Sequence, residues 1–183
     1  MHIDKQRLPT KLLWVDLEMT GLDPAKHVIV EVAAIITDFA FKELARYEAV
    51  IYHTEEVFEA ADEWPKAQHA ASGLTQRART NGMPEPEVVT DMALLIRQHF
   101  GDEPAILAGN SIHSDRKFIK QWWPEVEALL HYRMLDVSSL KIYMQGKYGV
   151  EYKKTDTHRA ADDIQASIAE WEYYMQWLKE HDR

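Results

Sequence analysis

Apolar and polar positions alternate with two different periods along this chain. Residues 11–19, KLLWVDLEM, form an almost unbroken apolar run that predicts a short buried strand. GLDP follows as turn chemistry, and HVIVEVAAIITD, residues 27–38, predicts a second strand rich in β-branched residues. ELARYEAVIY, residues 43–52, predicts a third, and the short connections join the three as an antiparallel meander. Past residue 52 the period becomes helical. Residues 55–70 and 84–100 carry helical spacing, the second opening on PEPE, where a proline and acids suit a first turn. AILAGN, residues 105–110, predicts a short strand running into a loop, and DRKFIKQWW, 115–123, a helix. YRMLDVSSLKIYM predicts a fifth strand passing into a helix. Residues 158–179 predict a long helix with Ala161, Ile164, Ile168, Trp171, Tyr174 and Leu178 near one stripe. There are no repeats, linkers or low-complexity tracts. The pattern reads as one α/β domain over residues 1–183, a mixed five-stranded sheet flanked by helices.

Composition narrows the function classes. With 46% apolar and 28% charged residues, the 183-residue chain has the make-up of a globular domain with a sizeable core. The absence of cysteine excludes disulfides, thiolate metal sites and cysteine nucleophiles, and agrees with a reducing cytoplasm. No long apolar span and no charged-then-apolar leader is seen, so neither membrane insertion nor secretion is expected. A formal charge of −9 argues against holding long nucleic acid by phosphate neutralisation alone. It leaves room for a small anionic substrate reached through divalent metals.

The candidate chemistry lies in acids set among apolar residues. Asp16 and Glu18 stand at i and i+2 of the first strand, which puts both side chains on one face. Two adjacent carboxylates repel, and withdrawn from water they need a cation. The bland alternative is an edge strand with solvated acids, which the neighbours Leu12, Leu13, Val15 and Leu17 disfavour. Asp115 follows AGNSIHS where an apolar strand gives way to a helix, and taken alone it reads as a helix cap. In THRAADDIQ, His158 precedes Asp163 by five residues, with Ala160 and Ala161 between to allow close approach of a helix to a sheet. Asp162 and Asp163 are helix neighbours, so at most one points into a site, and spacing does not say which. Four acids and a histidine over three segments suit two Mg²⁺ or Mn²⁺ ions, hard cations that take oxygen ligands in phosphoryl transfer. A histidine titrating near neutral pH could deprotonate an attacking water.

The blocks DLEMTGLD, GNSIHSDRKF, YRMLDVSSLK and HRAADDI, in this order from about residue 11 to 175, resemble the motifs of the oligoribonucleases. That family lies in the histidine-bearing branch of the Asp-Glu-Asp-Asp 3′-to-5′ exonucleases. The resemblance implies a ribonuclease H-like fold and a two-metal mechanism. It implies that Asp16, Glu18, Asp115 and Asp163 are the metal-binding acids and His158 the general base, the five-residue spacing selecting Asp163 over Asp162. Asp16 would bridge both metals, Glu18 and Asp163 would serve the first, and Asp115 would act mostly through bound water. It also implies that Leu22 is an apolar wedge between bases, that Trp64, His69 and Tyr132 contact the substrate, and that Tyr132 comes from the second subunit of a homodimer. On composition alone, Trp64 and Tyr132 read as core aromatics and His69 as a surface helix residue. Arg133, Ser138, Ser139 and Ser111 look like the family's cap for a terminal 5′ phosphate, which an arginine fork fits bidentately. The implied substrate is short single-stranded RNA of two to about five nucleotides, dinucleotides above all. His113 and Ser114, before Asp115, depart from the residues expected of the bacterial form. Glu31 reads as a structural partner near the site.

Two rivals remain at this point. One is another nuclease of the same branch, acting on DNA or tRNA ends; the other is a metal-dependent module that binds short nucleotides without cleaving them. The second has no need of His158. HExxH, GxxxxGK[ST] and GxGxxG are all absent, which excludes the metalloprotease, P-loop and dinucleotide-cofactor classes they mark.

Overall fold

The computed structural model describes residues 9–153 and 160–181. Strands β1 (Lys11–Met19), β2 (Ile29–Asp38) and β3 (Glu43–Val50) form the expected antiparallel meander. β4 (Ala105–Gly109) lies parallel to β1, and β5 (Leu130–Asp136) lies parallel to β4, giving the sheet order β3-β2-β1-β4-β5. The mixed five-stranded sheet read from the pattern is therefore present, with β1 at its centre.

Alternation along β1 feeds two cores, one on each face. Leu13, Val15 and Leu17 pack with Val88, Met92 and Ile96 of α4 (Glu85–Phe100) and Phe118 and Ile119 of α5 (His113–Trp122). Leu12 and Trp14 face the other way. They meet Val137, which opens α7 (Val137–Tyr148), and Ile164 and Ile168 of α8 (Ala160–His181). The buried Trp14 indole N–H is satisfied by Thr37 Oγ1 at 3.0 Å, so the aromatic fills the core without an unpaired donor.

The helix expected over 55–70 is broken into α1 (Glu55–Glu59) and α2 (Glu63–Ala71). Pro65 explains the break. In a continuous helix its ring would clash with the carbonyl four residues back, at Ala61, but near the start of a new helix it is tolerated. Gly73, at φ 74°, then turns the chain into α3 (Leu74–Asn81), whose sequence LTQRARTN buries only Leu74 and Ala78. So polar a stretch carries no apolar stripe, and the pattern misses it. The same holds for the four-residue α6 (Pro124–Glu127). α8 begins at Ala160, and His158 lies outside the described residues. Among the described residues no helix is long and apolar enough to cross a membrane.

Candidate active site

The face of β1 that carries Leu12 and Trp14 continues upward as Asp16 and Glu18. Its lower half is covered by Ile164 and Ile168, and the first turn of α8 brings Asp163 over the upper half. Asp16, Glu18 and Asp163 each present a carboxylate oxygen, and these oxygens lie within 4.8 Å of one another. Across the ladder from Asp16 stands Ala33, whose methyl leaves the space in front of the acid open. Ala160, buried against the sheet, lets α8 approach closely. Three hard oxygen donors converging at this spacing fit a divalent cation that prefers oxygen ligands.

Asp115 is held differently. It occupies the first turn of α5, is 7% exposed, and its Oδ1 accepts a hydrogen bond from the Leu17 N–H at 3.0 Å. β1 and β4 pair only at Leu13 and Trp14, so farther along the Leu17 N–H has no strand partner and the carboxylate takes that place. Burial pushes the Asp115 carboxyl up to about 7, the bonds from backbone N–H groups opposing and the charges of Glu18 and Asp136 adding.

A second group of charges supports Glu18. His69, expected as a stacking platform, is 3% exposed, with Nε2 3.3 Å from Glu18 Oε2. The buried imidazole thus meets the carboxylate of Glu18, one of the three converging acids. Glu31 pairs with Glu18 across β1 and β2 and receives a hydrogen bond from Arg77 at 3.0 Å. Burial raises the Glu31 carboxyl and the Arg77 charge opposes that, with Glu18 adding to the rise. Arg77 escaped the sequence reading because it sits on α3, which has no apolar stripe to announce it.

The remaining predicted residues fall into two places. Leu22 is 80% and Trp64 66% exposed, so Trp64 is not the core aromatic its composition implied. They stand on the turn that follows β1 and on α2, the helix that carries His69. Tyr132, 62% exposed, and Arg133 lie on the outer strand β5, the guanidinium 5.1 Å from the Tyr132 ring centroid. Ser111 and Ser138 are brought together, their hydroxyls 2.9 Å apart, where β4 ends and α7 begins. Ser111 is held at φ 53°, and its N–H donates to Asp136 Oδ1 and Ser138 Oγ, both at 3.0 Å. Ser138 Oγ in turn donates to Asn110 Oδ1, and the Asn110 amide donates to the fully buried Glu170 at 3.3 Å. Ser139 is exposed on the first turn of α7. The Asn110–Glu170 link is a second feature the sequence reading missed, since a glutamate inside a helix looks like a solvated one.

The exonuclease family model matches residues 13–171. The chain is 40% identical over 173 residues to the oligoribonuclease of Ectopseudomonas mendocina, covering 92% of this chain and 96% of that one. It is likewise 40% identical over 169 residues to the oligoribonuclease of Francisella tularensis, covering 91% and 95% of the two chains. Among solved structures, E. coli Exonuclease I in complex with a dT13 oligonucleotide superposes with a TM-score of 0.67 at 16% identity. A zinc ion-bound form of the E. coli enzyme with single-stranded DNA gives 0.65. The chain spans about two-fifths of the length of those structures, 42% and 43%, and the likeness shows the shared fold.

Proposed function

The chain belongs to the oligoribonuclease family of 3′-to-5′ exonucleases and acts on RNA, and from that premise we propose that its substrates are RNAs of two to about five nucleotides, dinucleotides preferred. The observation that carries the reading is the convergence of carboxylate oxygens of Asp16, Glu18 and Asp163 within 4.8 Å, with Leu22 exposed on the turn that follows β1 and Trp64 exposed on α2, the helix whose His69 meets Glu18. Asp16, Glu18 and Asp163 would hold two Mg²⁺ or Mn²⁺ ions, Asp115 contributing through water; divalent ions there supply the positive charge that steadies the attacking and leaving oxygens of phosphoryl transfer. His69 fixes the Glu18 carboxylate and Asp115 fixes the backbone between the two acids, so the oxygens are set before substrate arrives. His158, assigned by the family resemblance, would take the proton of the attacking water.

Leu22 and Trp64 would hold the bases by apolar contact and stacking, which is sequence-tolerant and contributes about 1–3 kcal/mol per base. Arg133 would meet the terminal 5′ phosphate, with Ser111, Ser138 and Ser139 beside it as neutral donors. Tyr132 would act from the second subunit of a homodimer; its position on the outer strand, 62% exposed, supports that assignment. A chain without cysteine suits a reducing compartment, and a cytoplasmic setting goes with this reading.

The test is a product time course on 5′-labelled RNAs of two, three, five and twenty nucleotides, with Mn²⁺ and with EDTA. Rapid, metal-dependent loss of the dinucleotide with the longest RNA barely touched is the expected result. Steady trimming of the longest RNA that leaves the dinucleotide behind would replace the reading with that of a general 3′ exonuclease.

A further inference from the structure

Leu22 protrudes from a turn, and Trp64 from a short helix, yet the two segments are fastened together from beneath. The turn closes on itself: the Thr20 N–H donates to Val28 O at 3.1 Å, and the Lys26 and His27 N–H groups both donate to Asp23 O at 2.9 Å. It is stitched to the start of α2 by the Asp62 N–H, which donates to Thr20 O at 2.9 Å. Between turn and helix lies His27, only 8% exposed. Its Nδ1 is 3.3 Å from Thr20 Oγ1 and its Nε2 3.5 Å from Asp62 Oδ2. Its carbonyl accepts from the Trp122 indole N–H at 3.0 Å, which ties the same point to α5.

The hydrogen bonds have a consistent direction. Thr20 Oγ1 accepts from the Val28 N–H at 3.1 Å, leaving its proton for His27 Nδ1, and the opposite ring nitrogen can then donate to Asp62. Packing around the ring is tight. A Cβ at Gly21 would come within 2.5 Å of both Asp62 Oδ2 and His27 Nε2, so only glycine lets turn, imidazole and helix start meet. None of these groups belongs to the acid cluster.

We propose that His27 is a positioning residue: it clamps the turn bearing Leu22 to the helix bearing Trp64 and so fixes how these two side chains are placed for a short RNA. The inference rests on the reading of Leu22 and Trp64 as base contacts. A loosened clamp leaves Asp16 and Asp163 where β1 and α8 hold them, and His69 meets Glu18 from the last turn of α2, away from the Asp62 end that His27 holds. It costs the substrate the preorganisation of its base contacts, which enters binding rather than chemistry.

The experiment compares wild type with His27→Ala, His27→Gln and Gly21→Ala, alongside Leu22→Ala and Trp64→Ala. Steady-state kinetics on a 5′-phosphorylated diadenosine RNA are read together with NMR order of the Leu22 methyls and the Trp64 indole. His27→Ala and Gly21→Ala are expected to raise KM about tenfold with kcat within about twofold, and to lower the order of both side chains. His27→Gln, which keeps a donor toward Asp62, is expected to recover most of the loss. Unchanged order at Leu22 and Trp64 in His27→Ala overturns the clamp, as does a fall in kcat with KM unmoved. If order falls but KM holds, while Leu22→Ala and Trp64→Ala raise it, the clamp's role for substrate is overturned. If those two variants also leave KM unmoved, the base-contact reading itself fails and takes the proposal with it.

Discussion

Asp115 Oδ1 accepts a hydrogen bond from the Leu17 N–H at 3.0 Å, so the first turn of α5 is bolted to the backbone between Asp16 and Glu18. The bond comes with a buried carboxyl whose pKa is pushed from 3.8 up to about 7. A carboxyl raised on folding binds its proton more tightly in the native state. Its stabilising effect is complete below the ordinary carboxylate range and is lost as pH rises toward 7. In EDTA, Asp115→Asn, which keeps the oxygen acceptor but cannot ionise, should therefore melt above wild type at pH 8. The gap should close by about pH 4, having grown by up to about 1.4 kcal/mol per pH unit between. With Mn²⁺ present the same variant should lose about 10–100-fold in activity. Melting curves from pH 4 to 8 and initial rates check both; equal melting at every pH would show that Asp115 is not strained by its burial.

Glu18 and Glu31 face each other across the ladder, and Arg77 is the cation that meets Glu31. Removing Arg77 leaves a half-buried carboxylate beside another. Arg77→Ala should cost about 1–2 kcal/mol in EDTA, the guanidinium's partial exposure holding the figure down. Pairing it with Glu31→Gln should restore part of the loss, because the repulsion on Glu18 goes too. Urea unfolding of the two single variants and the double variant supplies the coupling. A purely additive double variant would mean that Arg77 and Glu31 do not act as a pair.

Arg77 marks the limit of what the sequence made legible. Strands β1, β2 and β4 and helices α4, α5 and α8 could be read because each buries an apolar run or stripe, whereas β5 was read from its apolar composition although it buries only Leu130. Asp16 and Glu18 stood out because acids interrupt such a face. The separation of α1 from α2 was written in Pro65 and went unread. Arg77 and Glu170 could not be found: each is a charged residue in a helical stretch, and only the packing shows that its partners lie 46 and 60 residues away in the chain. His69 was singled out, but its burial against Glu18 depends on how α2 docks across the sheet. Local sequence fixes the elements, whereas the identity of a long-range polar partner depends on docking that no local pattern encodes.

Asp163 is the only acid of the convergent three that comes from α8, so it closes the site over β1. Asp163→Asn keeps the shape of the side chain and removes its charge. Wild type should gain thermal stability on Mg²⁺ or Mn²⁺ addition, in proportion to the logarithm of concentration above the dissociation constant. The variant should lose most of that gain, and its turnover should fall by more than about a thousandfold. Calorimetric metal titration separates the two effects. Undiminished metal binding by Asp163→Asn would remove Asp163 from the ligand set.

Arg133 tests the length preference. It lies exposed on the outer strand, its guanidinium over the Tyr132 ring, whereas Ser111 and Ser138 are bonded to one another. Ser138 donates to Asn110, and Arg133 is the charged member of the proposed phosphate cap. Arg133→Ala should raise KM for a 5′-phosphorylated dinucleotide by about tenfold to a hundredfold, the scale of a charge-assisted bidentate contact. A dinucleotide ending in a 5′ hydroxyl should be nearly indifferent to the change, since it has no phosphate to lose. Activity on a twenty-nucleotide RNA should stay low in both proteins. Unchanged kinetics on the phosphorylated dinucleotide would withdraw the phosphate cap and leave the length preference to the base contacts alone.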